Sequence, residues 1–395
     1  MNDNGLRGGP APMPQKENAM PPVTFLIKPA SSACNLRCKY CFYFSEAEQR
    51  TVPYYGMMSE ETLEAVVRKG LAYAEGSCGF AFQGGEPMLA GLPFFRKLVE
   101  LEERHNTKGV AVHNAIQTNG TLVDEEWARF FHDHRFLVGL SLDGDRDTHN
   151  LHRVDAGRRG TFPQVLAAAR LFDRFAVEYN ILTVVTANTA RYAGRVYDFY
   201  RKNGFRYLQF IHCLDPLGME PGSLPHSLGA EGLERFLKTL FDRWYEDLMT
   251  GQYVSVRYFD NLVQMLLGHP PEACGMAGVC GINLVLESDG GAYPCDFYML
   301  DEWRLGNLVT DEVADLIASA RAEEFRRLSV EPAVSCRGCR WFALCRGGCR
   351  RERERAAGGL DVNVFCAAYR GFFEYAYPRL AQAARLAAQG EGRAR

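Results

Sequence analysis

The chain has 395 residues, 47% of them hydrophobic and 24% charged. That is enough apolar material for about two to three domains, or one large barrel with an appendage, and it excludes a wholly disordered chain. Lys plus Arg number 45 and Asp plus Glu 48, a formal net charge of −3, so neither nucleic acid nor an anionic membrane is expected as the main partner. The first residues lack the cationic start and apolar run of a secretory signal. No stretch approaches the roughly 18 consecutive apolar residues of a membrane helix. A cytoplasmic, reducing compartment is therefore expected. There, clustered cysteines bind metal or do chemistry more often than they form bridges, and the count of 13 cysteines is odd, which does not suit a closed disulfide framework.

Residues 1–22 carry Gly, Pro, Asn and Met without periodicity and are expected to be a flexible leader. Short apolar runs at 23–28, 80–82, 110–115, 136–140, 178–185 and 207–211 predict strands. Helical patterns at 60–74, 93–104, 124–132, 162–175 and 191–203 fall between them. The alternation implies parallel βα units, and the unbroken apolar runs imply strands buried on both faces. Such units make either an open doubly wound sheet or part of a closed barrel, and the rhythm alone does not choose. The segments after the first four strands, 33–41, 84–87, 117–120 and 141–145, carry the most distinctive residues. Ligand sites in parallel α/β folds lie at the carboxyl ends of the strands, so these segments are predicted to converge on one rim.

Residues 214–232 are rich in Pro and Gly and predict a long loop of the kind that serves as a lid. Amphipathic helices are predicted at 233–248 and 258–267. The chain is cysteine-dense from Cys274 to Cys366. The expected division is a leader at 1–22, an α/β barrel at 23–250, a cysteine-rich domain at 251–378 and a terminal helix or tail at 379–395. No internal repeat is visible.

Cys34, Cys38 and Cys41 put three thiols within eight residues. Thiolates are soft ligands for iron–sulfur clusters and zinc, and three local ligands leave one position of a four-metal cluster free for chemistry. A zinc knuckle completed by Cys78 or a histidine is the plain alternative. Downstream, Cys274, Cys280, Cys295, Cys336, Cys339, Cys345, Cys349 and Cys366 are the number that two four-cysteine sites require. Donor chemistry does not separate zinc from iron–sulfur there. For Cys78 and Cys213 the default is a small buried apolar side chain.

Cys34-x3-Cys38-x2-Cys41 followed by Phe42, with Gly84-Gly85-Glu86-Pro87, resembles the radical S-adenosylmethionine (SAM) enzymes. The resemblance implies a partial (β/α)6, TIM-like barrel, and a 4Fe–4S cluster whose open iron takes the amino and carboxylate groups of SAM. Carboxylate or carbonyl groups of the Gly-Gly-Glu-Pro segment would meet the SAM ammonium. The second cysteine group resembles the small SPASM domain, which implies two auxiliary 4Fe–4S clusters, one on Cys274, Cys280, Cys295 and Cys349 and the other on Cys336, Cys339, Cys345 and Cys366.

Within that group the chain from Cys34 to Cys366 is similar to the anaerobic sulfatase-maturating enzymes. The resemblance is carried by the segments at 82–87, 117–121, 141–144 and 293–298. It implies oxidation of the Cβ of one Cys or Ser in an unfolded or nascent sulfatase segment to formylglycine. An electron donor such as flavodoxin or ferredoxin and a monomeric enzyme are expected. Carried across residue by residue, Tyr40, Gly85, Ser141, Arg153 and Leu214 would contact SAM, Asp296 would accept the substrate proton, and Gln83 and Tyr43 would line the substrate pocket. The neighbouring possibilities are a SPASM maturase that forms a thioether or C–C crosslink in a ribosomal peptide, and a non-catalytic zinc-binding interaction protein.

Overall fold

The computed structural model describes residues 22–354 and 361–394. The expected leader therefore lies outside the described residues except for Pro22, as does the last residue of the expected tail. The first half runs β1 (Val23–Ile27), α1 (Phe42–Glu48), α2 (Glu60–Tyr73), β2 (Ser77–Phe82), α3 (Leu92–His105), β3 (Ala111–Thr118), α4 (Glu125–Asp133), β4 (Leu137–Ser141), α5 (Arg146–His152), α6 (Phe162–Phe175), β5 (Tyr179–Val185), α7 (Ala187–Arg191), α8 (Ala193–Lys202) and β6 (Tyr207–His212). The helix expected at 191–203 is α8, and a short α7 that the sequence reading did not expect precedes it, the two meeting at Tyr192.

β1 to β6 lie side by side in chain order, each parallel to the next. A doubly wound sheet reverses its strand order at a switch point, so uninterrupted order selects the barrel over the open sheet. The sheet is bounded by two different short strands from the second half of the chain, Gly306–Asn307 and Ser255–Val256, so the barrel is partial. Phe25, Ile27, Phe80, Val138, Leu140 and Val185 are fully buried in its strands. Local chemistry agrees with the global fold. Ser59 caps α2 by accepting from the Thr62 N–H at 3.2 Å, and Asp124 caps α4 by accepting from Trp127 at 2.9 Å. Gly70 lets α2 settle on β1, because a β-carbon there would come within 2.7 Å of the Phe25 ring.

The second half continues through α9 (Ala230–Met249), β7 (Ser255–Val256), α10 (Arg257–Leu266), β8 (Val285–Leu286), β9 (Gly291–Tyr293), β10 (Gly306–Asn307), α11 (Val313–Ala318), α12 (Ala320–Val330), α13 (Phe342–Cys345) and α14 (Cys366–Ala394). The cysteine-rich part is not a separate bead. β7 extends the sheet past residue 250 by pairing with β6, and β8 pairs with β1 at Leu26–Val285 and Ile27–Leu286. The helix expected after 378 begins at Cys366 and passes through Pro378. Proline removes one backbone donor and normally breaks a helix. Here Phe372, Phe373 and Ala376 before it, and Leu380, Ala383 and Ala384 after it, are all buried. Burial on both sides holds the helix together across the missing bond. Tyr375 and Arg379 tie it to Asp242 of α9 at 2.8 and 2.9 Å.

A candidate active site at the carboxyl ends of the strands

The loop leaving β1 carries Cys34, Cys38 and Cys41. It is braced by the Arg37 N–H, which donates to the Val154 carbonyl at 2.7 Å, and by a β-bridge from Leu36 to Asp155. Cys41 is the N-cap of α1. Burial pushes Cys34 up to about 11 and Cys38 up to about 12, and raises Cys41. Neighbouring thiols of the set add to the shifts at Cys34 and Cys38. The Arg153 guanidinium opposes the shift at Cys38 and Cys41. Among the described residues, no three His, Cys, Asp or Glu side chains converge on the volume of a single metal ion. Desolvated thiols beside a fixed cation nonetheless suit an anionic iron–sulfur cluster, whose metal charge would replace their protons.

Arg153 is itself held. Its Nε and Nη2 donate to the Asp143 carboxylate at 2.9 and 3.2 Å, and the Tyr40 hydroxyl donates to the same group. Val184 adds a backbone N–H at 2.9 Å. Burial alone would raise the Asp143 carboxyl, yet the adjacent guanidinium holds it below the ordinary carboxylate range. Ser141, at the end of β4, accepts from the Gln117 amide at 2.9 Å, which leaves its own proton free to donate. Leu214 lines a cavity of about 310 Å³ with Asp215, Met219, Arg351 and Phe365, under the long loop that ends at α9.

Gly85 has a positive φ of 55°, and a β-carbon there would meet the Ala33 carbonyl at 2.2 Å. Only glycine lets this loop lie against the cysteine loop. Of the two groups expected to suit an ammonium, carboxylate or carbonyl, the Glu86 carboxylate is already engaged. It turns inward, accepting from Met88 N at 3.1 Å, Thr118 Oγ1 at 2.8 Å and Asn119 N at 2.8 Å. Burial raises it to about 7 against these bonds. It locks the loop after β2 to the end of β3, so backbone carbonyls are what this segment offers an ammonium.

Asp296 opens a single 3-10 turn, Asp296–Tyr298, directly after Cys295. It faces the end of β1 across the seam between the two halves. Lys28 Nζ donates to one carboxylate oxygen at 2.5 Å, and Gln83 Nε2 donates to the other at 2.9 Å. Lys28 is fully buried and also sits 4.0 Å from the centre of the Tyr43 ring. The Tyr43 hydroxyl is engaged elsewhere, donating to Glu287 at 2.8 Å, where Arg50 also donates at 2.6 Å. Tyr43 therefore offers the site its ring. Beside this group Glu46 is buried with one oxygen lacking a hydrogen-bond partner among the described residues. Burial, then the charge of Asp296, pushes its carboxyl well above the usual range.

The eight later cysteines fall into two groups. Cys295 feels Cys349 and Cys274, and Cys349 feels Cys274 and Cys280. Cys345 feels Cys366, Cys336 and Cys339. Cys78 and Cys213 are buried in the main core and belong to none of the three sets. Sequence reasoning missed Lys28, Asp143, Glu46, Arg50 and Glu287. Asp143 had a local signal, lying in the Ser-Leu-Asp-Gly segment that supports the resemblance; Lys28 had a weaker one, as a lysine ending an apolar strand.

A family model described as the radical SAM superfamily matches residues 29–199, and one described as an iron–sulfur cluster-binding domain, SPASM, matches residues 278–340. The cysteine-type anaerobic sulfatase-maturating enzyme of Clostridium perfringens is 51% identical over 362 residues, which are 91% of this chain and 98% of the relative. The chain belongs to the anaerobic sulfatase-maturating enzymes. As such it is a radical SAM oxidoreductase whose cofactors are 4Fe–4S clusters, three in this family, and SAM. A serine-type member from Klebsiella aerogenes is 33% identical over 379 residues, 94% of this chain and 90% of the relative. The solved structure of native anSMEcpe with bound AdoMet and Cp18Cys peptide superposes with a TM-score of 0.89 at 49% identity, covering 92% of this chain and 99% of that one. The partial barrel followed by a SPASM domain, expected from the resemblance, is the fold of this family member. Among the described residues no helix is long and apolar enough to cross a membrane.

Proposed function

We propose that this sulfatase-maturating enzyme oxidises the Cβ of a cysteine, rather than a serine, in an unfolded or nascent sulfatase segment to formylglycine. Cysteine-type relatives are 44–51% identical to it and serine-type relatives 28–33%. The observation that carries the residue assignment is Asp296, whose carboxylate is gripped through both oxygens by Lys28 and Gln83. Such a carboxylate is aimed and ready to accept a proton at one remaining lone pair. Cys34, Cys38 and Cys41 would hold the first cluster, which with SAM would supply hydrogen-atom abstraction at Cβ. The sets Cys274, Cys280, Cys295, Cys349 and Cys336, Cys339, Cys345, Cys366 would hold the auxiliary clusters, which supply electron acceptance.

The chain's own groups do the rest. Backbone at Gly85, the Ser141 hydroxyl, the Tyr40 ring, the packing surface of Leu214 and the Nη1 of Arg153 left over from Asp143 orient SAM. Asp296 takes the substrate thiol proton, with Gln83 and the Tyr43 ring as walls of the pocket, and the thioaldehyde left after loss of the Cβ hydrogen atom, that proton and one electron is hydrolysed by water to the aldehyde with release of hydrogen sulfide. We assign the enzyme to the cytoplasm as a monomer, with a flavodoxin or ferredoxin as electron donor.

Anaerobic reconstitution and incubation with matched peptides, Cys-x-Pro-x-Arg and Ser-x-Ala-x-Arg, tests this by mass spectrometry. The cysteine peptide is expected to gain the aldehyde faster. Faster conversion of the serine peptide overturns the choice of target, and a crosslinked product without aldehyde points to the other SPASM chemistry. Arg153→Lys is expected to weaken SAM binding roughly tenfold, because lysine cannot span Asp143 and a ligand carboxylate together. Equilibrium dialysis under anaerobic conditions measures it, and unchanged affinity removes Arg153 from the SAM site.

A further inference from the structure

Around the thiol set of Cys336, Cys339, Cys345 and Cys366 the distribution of charge departs from that of the chain. Residues 332–349 contain Arg337, Arg340 and Arg346 and no acid, and residues 362–373 contain Arg370 and no acid, in a protein whose net charge is −3. Arg337 and Arg340 are exposed, each directly after a cysteine of the set, Cys336 and Cys339. Arg370 is exposed one turn beyond Cys366 on α14. Trp341 packs on Phe373 and Tyr377 of α14 with ring centres 5.8 and 5.3 Å apart, so the segment carrying Arg337 and Arg340 lies beside the helix carrying Arg370. The Arg340 guanidinium lies 4.5 Å from the centre of the Trp341 ring, which fixes its position. Val334, two residues before Cys336, is 80% exposed.

We propose that this face is the docking surface for an acidic one-electron carrier protein of the flavodoxin or ferredoxin type. The inference rests on the redox chemistry of the proposed function and deepens it by naming where the carrier binds. A basic rim steers an acidic partner by long-range attraction while the acid-leaning remainder of the molecule repels it. An exposed apolar residue among the arginines gives the encounter a dry contact point, and electron-transfer complexes are small, so a patch of this extent suffices. One electron, taken from the substrate, leaves the centre held by the four cysteines and one is gained by the oxidised carrier; no bond forms or breaks and no proton needs to move.

Association is measured by titrating oxidised flavodoxin, monitored through its flavin, onto the anaerobic cluster-loaded enzyme at low and high salt. Binding to the unmodified enzyme is expected to weaken as salt rises. The triple variant R337Q/R340Q/R370Q is expected to lose roughly tenfold in affinity at low salt and most of the salt dependence. R337K/R340K/R370K is expected to keep both, and dithionite-driven conversion of the cysteine peptide is expected to be unchanged in the glutamine triple.

Four results overturn the proposal: flavodoxin affinity unchanged in the glutamine triple, a lysine triple as weak as the glutamine one, a parallel loss of dithionite-driven conversion, or a loss of peptide affinity instead. If the triple does not fold, Arg370→Gln alone, on an exposed helix position, is expected to lower affinity and flatten the salt dependence, and no change there is equally decisive. Failure of the underlying redox chemistry would show separately, as absence of aldehyde with dithionite whatever flavodoxin does.

Discussion

Asp296→Asn is expected to leave SAM cleavage running while aldehyde formation falls by about 10²–10⁴-fold, the usual contribution of a positioned general base. The amide has the size and shape of the carboxylate and keeps an oxygen for Lys28 or Gln83, but it cannot take the substrate proton. The readout is the ratio of formylglycine to 5′-deoxyadenosine under anaerobic turnover, and full product yield refutes the assignment of Asp296. One side effect is built into the site. Lys28 is fully buried and Asp296 is its charged partner at 2.5 Å, and removing one member of such a pair leaves an uncompensated charge, at about 3–5 kcal/mol. The single variant is therefore expected to melt earlier. Lys28→Met combined with Asp296→Asn is expected to recover much of that stability without recovering aldehyde formation, which separates proton transfer from folding.

The uneven legibility of this site in the sequence has physical causes. The rim is visible because parallel strands announce themselves as apolar runs, and the residues next in the chain must lie at the carboxyl end of each. Gln117 and Thr118 read as part of the segment after a strand, although β3 continues through Thr118. The polar side chain of Gln117 reaches along the rim to Ser141, and polarity inside a strand mimics a loop. Long-range charge pairs leave no trace. Lys28 and Asp296 are 268 residues apart and Arg50 and Glu287 are 237 apart, and no periodicity links such positions. Glu86 misleads for a related reason: its partners Thr118 and Asn119 come from the end of the next strand, so a carboxylate in a ligand-like segment is structural. Pro378 reads as a stop signal locally, whereas the apolar residues that hold α14 through it find their partners on α9 and α10.

The second large effect concerns the first thiol set. Changing Cys34, Cys38 and Cys41 to Ala together is expected to abolish 5′-deoxyadenosine formation, while the protein keeps the iron and sulfide of the other two sets. The separation comes from where the sulfurs sit in the chain. The first three belong to a single loop between β1 and α1, whereas the other eight are contributed from Cys274 onward, by elements anchored through β8 and α14. Loss of the loop's ligands therefore leaves the other coordination frameworks standing. The loop itself is expected to survive, because its long-range braces run from backbone atoms of Arg37 and Leu36 to Val154 and Asp155, and the thiol bond it loses, from Leu36 N–H to Cys34 Sγ at 3.4 Å, is local. Melting temperatures of the metal-free forms are expected to stay close, since three small apolar side chains replace three thiols that burial already keeps protonated. Mössbauer spectra of oxygen-protected protein count the clusters, and liquid chromatography counts 5′-deoxyadenosine. A triple variant that still releases 5′-deoxyadenosine, or one that loses iron from all three sets at once, would contradict the assignment of this loop as the site where SAM is opened.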